Sequence, residues 1–210
     1  RVSVDPRLSI NQGTLKHADL ATALAATSGA GVPAIGLWRE PVQEVGLTTA
    51  ASMLADSGLR FTTHCRSGFF TMPEGPARRA SLDDNRLAVE EAATLAAAGA
   101  EGSTAVLVLV AGGLPEGSRD LIGARERVRD AIGELAPHAA EAGVTLAIEP
   151  LHPMYASDRC VVSTLGQALD IAHDFDPSVV GVTVDTFHIW WDPDVLPQIE
   201  RAGREGRIAT

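Results

Sequence analysis

The residues best suited to chemistry in this sequence are two carboxylates, Glu149 and Asp185, each at the end of a short apolar and β-branched stretch. His64 and Trp38 end two earlier stretches of the same kind, and His188 follows Asp185 in an Asp-x-x-His pairing. Carboxylates and imidazoles bind divalent cations, and an indole offers a large apolar face with one polar edge. These residue types together predict a hard divalent cation with a small polyhydroxylated ligand beside it.

Each of these residues also has a purely structural interpretation, and the sequence leaves that alternative open. Glu149 could pair with a loop arginine, and Asp185 could cap a short helical turn that begins at Thr186. His64 could be a packed, hydrogen-bonded histidine, and His152, in the loop after Glu149, could have a surface or supporting role. The chemical hypothesis therefore depends on several such residues ending neighbouring elements, and not on any one of them.

The elements that must position these residues follow a recurring pattern of an Ala-rich amphipathic stretch, a Gly and a short aliphatic run. The aliphatic runs predict strands at 33–38, 59–64, 104–110, 144–149 and 179–185. The Ala-rich stretches predict helices at 17–29, 43–57, 82–98, 123–142 and 164–174. A first strand is predicted at 7–10, and a last one begins at Arg207. Strands therefore alternate with helices along the chain.

Alternation of this kind predicts an α/β fold with a parallel sheet. The run 106–110 is apolar on both faces, as a sheet covered by helices requires. About six βα units fit a (β/α)₈ TIM barrel that is incomplete in this chain, with strands seven and eight missing, better than a doubly wound sheet. We expect residues 1–210 to be one barrel domain, with the strand ends meeting at a common mouth.

Composition excludes several classes of protein. Lys and Arg number 17 against 27 Asp and Glu, a net charge of −10 without a basic stripe, which disfavours nucleic acid as a partner. The longest apolar run, 105–111, is far shorter than the roughly 18 residues that span a bilayer, so no membrane association is expected. The two cysteines, Cys65 and Cys160, form no disulfide framework, which favours a cytoplasmic location. Homo-oligomerisation remains open.

Two segments, 149–153 (EPLHP) and 185–192 (DTFHIWWD), resemble the sugar phosphate isomerase/epimerase superfamily of xylose isomerase-like TIM barrels. The resemblance implies a divalent metal, Mn²⁺, Mg²⁺, Co²⁺ or Zn²⁺, held in part by a strand-five glutamate and a strand-six aspartate. Glu149 and Asp185 match these two ligands. The family's remaining two ligands have no counterpart in this sequence.

The resemblance also implies a metal-dependent isomerase or epimerase of carbohydrate metabolism. Its substrate would be a sugar, sugar phosphate or related hydroxyketone, converted by proton transfer through an enediolate. In this scheme Glu149 is ligand and base, and His188 bonds the substrate oxygen where charge develops. Trp38, His64 and His152 complete the predicted substrate site. Two alternatives stay open, an inosose-type dehydratase of the same fold and a non-catalytic sugar-binding barrel.

Overall fold

A six-stranded parallel sheet organises the chain in the computed structural model, which describes residues 4–210. The strands are β1 (Ser9–Asn11), β2 (Ala34–Trp38), β3 (Arg60–Gly68), β4 (Val106–Val110), β5 (Thr145–Glu149) and β6 (Val180–Val182). They lie in the sheet in chain order, from β1 at one end to β6 at the other. The predicted α/β class is confirmed, and the sheet in the described residues is that of an incomplete, unclosed barrel.

Helices separate the strands. They are α1 (Leu20–Gly29), α2 (Arg39–Val45), α3 (Leu47–Ser57), α4 (Pro76–Ala98), α5 (Leu121–Ala142), α6 (Leu165–Ala172), α7 (Thr186–Ile189) and α8 (Val195–Arg204), with 3₁₀ turns at Gln12–Leu15 and Pro153–Tyr155. None of the helices within residues 4–210 combines the length and the apolarity that crossing a membrane requires.

Several predicted boundaries are corrected by the structure. The helix predicted at 43–57 is two helices, α2 and α3, because Gly46 lies between them with a φ of 83° that favours glycine. The strand predicted at 59–64 continues to Gly68, and the one predicted at 179–185 ends at Val182. Helix α8 was not predicted. These differences leave the alternation of strands and helices unchanged.

The chain divides into two compact units. The first unit is Arg1–Arg66 with Glu90–Val106, and the second is Ser67–Val89 with Leu107–Thr210. A fully buried cluster that includes Ile35, Leu37 and Phe61 forms the core of the first unit. Strands β4, β5 and β6 and helices α5 and α6 supply most of the buried apolar residues of the second. The prediction of a single domain stays a prediction.

The predicted last strand lies along β6. Ile208 pairs with Val182 in parallel orientation, and Val182 N–H donates to the Arg207 carbonyl oxygen at 2.8 Å. A Cβ at Gly181 would come within 2.6 Å of that same oxygen, so only glycine permits this close approach. The segment in which a strand is predicted to begin at Arg207 therefore pairs with β6 through an isolated bridge at Ile208, and it is not one of the six strands.

Gly68 is a position where we expect a substitution to be costly. Its φ is 110°, and a Cβ there would overlap the carbonyl oxygen of Val110, which cannot move away as a flexible side chain could. Gly68→Ala is expected to lower the free energy of unfolding by about 1–3 kcal/mol, measured by urea denaturation. The control is Gly29→Ala, where a Cβ meets nothing within 4 Å. Equal midpoints for the two variants would contradict this account.

Candidate functional site

The ends of β5 and β6 form one edge of the sheet in the second unit. Ile148 pairs with Val182 in parallel register, and Thr183 N–H donates to the Ile148 carbonyl oxygen at 3.0 Å. Because the strands are parallel and in register, Glu149 and the segment that leads to Asp185 leave the sheet on the same side. The two predicted carboxylates thus follow neighbouring strand ends.

The backbone at Glu149 is held by the segment that follows it. The Cys160 thiol lies 3.7 Å from the Glu149 carbonyl oxygen and 3.2 Å from that of Val162. Leu151 N–H also donates to the Val162 oxygen, at 3.0 Å. Burial raises the pKa of the Cys160 thiol, which therefore stays neutral and can act as a weak donor. This anchoring fixes the path of the chain as it leaves β5.

Asp185 caps helix α7, as the structural alternative anticipated. One of its carboxylate oxygens, Oδ1, accepts the Phe187 N–H at 2.8 Å. The other, Oδ2, lies 3.9 Å from Nε2 of His188. The capping bond occupies only Oδ1, so Oδ2 keeps capacity for a further partner.

The tautomer of His188 follows from its neighbours. Nδ1 accepts the His152 backbone N–H at 3.3 Å, so the proton of the neutral ring is assigned to Nε2, the nitrogen near Asp185. Burial lowers the pKa of His188, Asp185 raises it and His152 lowers it, and the net shift is downward from the ordinary 6.5. The ring is therefore neutral at pH 7 and presents an N–H donor.

Aromatic side chains surround His152. Trp190 stacks on its ring with a centroid distance of 6.4 Å, and Trp191 meets it edge-on at 5.9 Å. The indole N–H of Trp191 donates to the His188 carbonyl oxygen at 3.0 Å, whereas Trp190 is 70% exposed. The structure thus brings His152 and His188 together beneath an exposed indole.

The sequence interpretation missed two other residues of this edge. The Tyr155 ring meets the His188 ring edge-on at 5.8 Å. Tyr155 ends the short 3₁₀ turn Pro153–Tyr155, which has no periodic signal in the sequence. Thr183 is 8% exposed, and its hydroxyl has no hydrogen-bond partner among residues 4–210. A buried unpartnered hydroxyl at a strand end is a group that a ligand could satisfy.

The side chains at this edge are of the types that bind a divalent ion, but too few of them lie close together to hold one. Carboxylates such as Glu149 and Asp185, and the imidazole of His188, are ligands of divalent cations. In the part of the chain that the structure describes, no three His, Cys, Asp or Glu side chains lie close enough to hold an ion. These residues could therefore supply at most part of a coordination shell.

His64, in the first unit, is completely buried and belongs to an ionic cluster. Its Nε2 lies 2.8 Å from Oε2 of Glu91, and Nε of Arg39 donates to the same oxygen at 2.8 Å. Burial raises the pKa of Glu91, but hydrogen bonds from His64 and Arg39 and their charges lower it to about 2. The ionised carboxylate can only accept, so Nε2 of His64 carries a proton and donates to it.

The remaining nitrogen of His64, Nδ1, is buried and has no hydrogen-bond partner within the described residues. The sequence interpretation did not find Glu91, although a signal existed. Ala88, Ala92 and Leu95 are fully buried on α4, and Glu91 falls on the same face by helical spacing. A carboxylate on an apolar face needs buried partners.

The indole of Trp38 is held by the chain that follows β1. Nε1 donates to Oδ1 of Asn11 at 2.7 Å, and the Trp38 backbone N–H donates to Oε1 of Gln12 at 2.9 Å. A Cβ at Gly13 would come within 2.8 Å of the ring, and the Arg66 guanidinium lies 5.9 Å from its centroid. The sequence interpretation missed Asn11 and Gln12.

Trp38 and His64 lie in the first unit, and the other predicted site residues lie in the second: Glu149, His152, Asp185 and His188. The structure brings the last three of these together through His188. That all six share one mouth stays a prediction.

Comparison with known families agrees with this architecture. Residues 24–209 match the family described as xylose isomerase-like TIM barrel. No curated protein sequence matches the chain.

Solved structures share the fold. Protein SMc04130 from Sinorhizobium meliloti 1021 is 48% identical with a TM-score of 0.89, over 97% of this chain and 71% of that one. IOLI protein with a bound zinc atom is 20% identical with a TM-score of 0.76, over 96% and 70%. D-psicose 3-epimerase in the presence of D-fructose is 18% identical with a TM-score of 0.74, over 92% and 68%. The last two likenesses concern the fold alone.

Proposed function

The chain belongs to the xylose isomerase-like TIM barrel family, and on that premise we propose that it is a divalent-metal-dependent isomerase or epimerase of a sugar or related hydroxyketone. One observation carries the proposal. The paired ends of β5 and β6 place Glu149 and the Asp185–His188 pair at one edge of the sheet. A carboxylate base and a neutral imidazole donor are groups suited to proton transfer next to a carbonyl group.

The similar structures support the substrate class by analogy. One of them is a D-psicose 3-epimerase that was studied with D-fructose, and another is a protein that binds zinc. Both have the fold of this chain. A free sugar and a divalent cation are therefore the first ligands to test.

Glu149 is the proposed base. Removal of a proton from the carbon next to a carbonyl group is slow near neutral pH unless the resulting oxyanion is stabilised. Glu149 and Asp185 would contribute two ligands to a divalent ion, which, when bound, supplies Lewis-acid stabilisation of that oxyanion. Because Oδ1 of Asp185 accepts the Phe187 N–H, Oδ2 is the oxygen that would bind the ion.

His188 is the proposed hydrogen-bond donor to the substrate oxygen. Its Nδ1 accepts from His152, which leaves Nε2–H to donate. A fixed donor stabilises the charged transition state more than the neutral ground state, because the charge develops where the donor already points. His152, Trp38 and His64 are the proposed further substrate contacts.

Product analysis tests the proposed function. The protein would be incubated with D-fructose, D-psicose or D-tagatose and each of Mn²⁺, Mg²⁺, Co²⁺ and Zn²⁺, and the products separated by chromatography and weighed by mass spectrometry. We expect an isomeric sugar of unchanged mass. We also expect the formation of this product to stop when the metal is chelated. A product lighter by one water would indicate a dehydratase, and binding without any product would indicate a sugar-binding protein. Either result contradicts the proposal.

A further inference from the structure

A cavity lies between two helices of the second unit, α5 and α6, which both pack against β5. Its volume is about 290 Å³. This volume is at the lower limit of small-molecule sites, about 300–1,000 Å³. The residues of its lining that carry the argument are Ile122, Arg125, Glu126, Arg129, Gln167 and Asp170. None of them belongs to the site proposed at the ends of β5 and β6.

Arg125 brings a positive charge without a counter-ion to this cavity. Its Nε donates to the Val161 carbonyl oxygen at 2.8 Å, and no carboxylate oxygen lies within 4 Å of its guanidinium nitrogens among residues 4–210. Burial lowers the pKa of Arg125, because the guanidinium is partly withdrawn from water. The group nevertheless stays charged at pH 7. A partly buried charge without a partner is costly, and a bound anion would offset that cost.

The bond to Val161 fixes the guanidinium of Arg125 and leaves its outer edge for a ligand. Nη1 and Nη2 have no hydrogen-bond partner within residues 4–210, and neither atom is sealed from solvent. This edge presents two parallel N–H bonds, whose spacing matches the two oxygens of a carboxylate. Because Arg125 lines the cavity, a carboxylate bound there would supply the missing counter-ion.

Gln167 adds a second donor, from α6. Its Oε1 accepts the Ser163 backbone N–H at 2.8 Å, so the other terminal atom of the amide is Nε2. Nε2 has no acceptor in the described part of the chain, and it is not sealed from solvent. Gln167 lines the same cavity as Arg125, on the other helix. The cavity therefore brings together a guanidinium and an amide whose N–H groups lack acceptors.

The remaining charges of the lining favour a ligand with a single negative charge. Nε of Arg129, the second guanidinium of the lining, already lies 2.9 Å from a carboxylate oxygen of Asp174. Arg125 can therefore compensate one negative charge. Glu126 and Asp170 also line the cavity and repel anions. A dianion such as phosphate would keep one uncompensated charge beside these two carboxylates, which is unfavourable.

We propose that this cavity binds a small organic monocarboxylate, with the Nη1–Nη2 edge of Arg125 and Nε2 of Gln167 donating to its oxygens. Ile122, which lines the cavity and is 72% exposed, offers an apolar surface to the hydrocarbon part of such a ligand. The inference goes beyond the proposed function and does not depend on it, because none of the proposed catalytic residues takes part.

NMR titration of the ¹⁵N-labelled wild-type chain with sodium butyrate tests the proposal, with the ionic strength held constant by sodium chloride. Butyrate is expected to shift the side-chain NH₂ signals of Gln167 and the Nε–H signal of Arg125 together and saturably. 1-Butanol and inorganic phosphate are each expected to bind at least about tenfold more weakly. Unmoved Gln167 and Arg125 signals at high butyrate concentration would overturn the proposal. Phosphate binding as tight as that of butyrate would overturn the preference for a single charge.

Three variants that each make the net charge more negative by one unit isolate the two donors. Arg125→Gln removes the guanidinium, whereas Gln167→Glu keeps an acceptor for the Ser163 N–H but replaces Nε2. Each is expected to weaken butyrate binding by about tenfold or more. Arg119→Gln, at an exposed position of the same unit outside the cavity lining, is the control and should leave the affinity unchanged. If Arg125→Gln does not fold, Gln167→Glu decides, and wild-type affinity in that variant would contradict the proposal.

Discussion

Glu149→Gln is expected to lower kcat for the ketose on which the wild-type protein acts by about 10²–10⁴-fold. An amide has nearly the same shape as a carboxylate but cannot take up the proton from the carbon next to the carbonyl group. It is also a weaker ligand for a divalent cation, since it carries no charge. Initial rates at saturating substrate and metal measure the effect.

The matched control for this variant is Glu141→Gln. Glu141 is an exposed carboxylate near the end of α5, in the same unit as Glu149. Its substitution is expected to leave kcat unchanged. If Glu149→Gln has the same kcat as wild type, Glu149 is not the base.

The second large effect is expected on stability, for Glu91→Gln. Arg39 and His64 are 7% and 0% exposed, and both bond to the Glu91 carboxylate. Loss of its charge removes an ion pair of 2.8 Å from the buried guanidinium, which is expected to cost about 3 kcal/mol of unfolding free energy. For a chain of this size that corresponds to a fall in Tm of about 6–12 °C. Thermal and urea unfolding followed by circular dichroism measure it.

The effect of Glu91→Gln has a definite pH dependence. The pKa of Glu91 is lowered from its ordinary 4.5 to about 2 in the folded chain, so the unfolded state takes up a proton first. The stabilisation is fully present above pH 4.5 and is lost as the pH falls from 4.5 towards 2. The difference between wild type and variant should therefore shrink in acid. Glu101→Gln, at an exposed position, is the control, and a difference that did not change with pH would exclude the buried ion pair as its source.

Most of the fold could be predicted from the sequence because its signals are local. Ala-rich amphipathic stretches and β-branched runs specify helices and strands residue by residue, and their alternation specifies parallel pairing. The division of 43–57 at Gly46 was missed, because apolar residues continue across the break. The strand-end rule placed Glu149 and Asp185 at one edge for the same local reason.

The partners of the site residues could not be predicted in the same way. Glu91 meets His64 across 27 residues, and Gln12 meets Trp38 across 26 residues, so no periodic pattern connects them. The contact between His152 and His188 spans 36 residues and depends on the paths of the two segments that follow β5 and β6. By contrast, the cap that Asp185 provides lies within two residues and was anticipated. Contacts between distant segments therefore had to come from the structure.

Binding of Mn²⁺, followed by electron paramagnetic resonance, tests most directly the claim that Glu149 and Asp185 hold the same ion. We predict that wild type binds Mn²⁺ and that Glu149→Gln and Asp185→Asn each weaken binding by more than about tenfold. The double variant should weaken binding by less than the product of the two single effects, because the ligands share one ion. A wild-type protein that takes up no Mn²⁺, or two single variants that bind it as tightly as wild type, would contradict the claim.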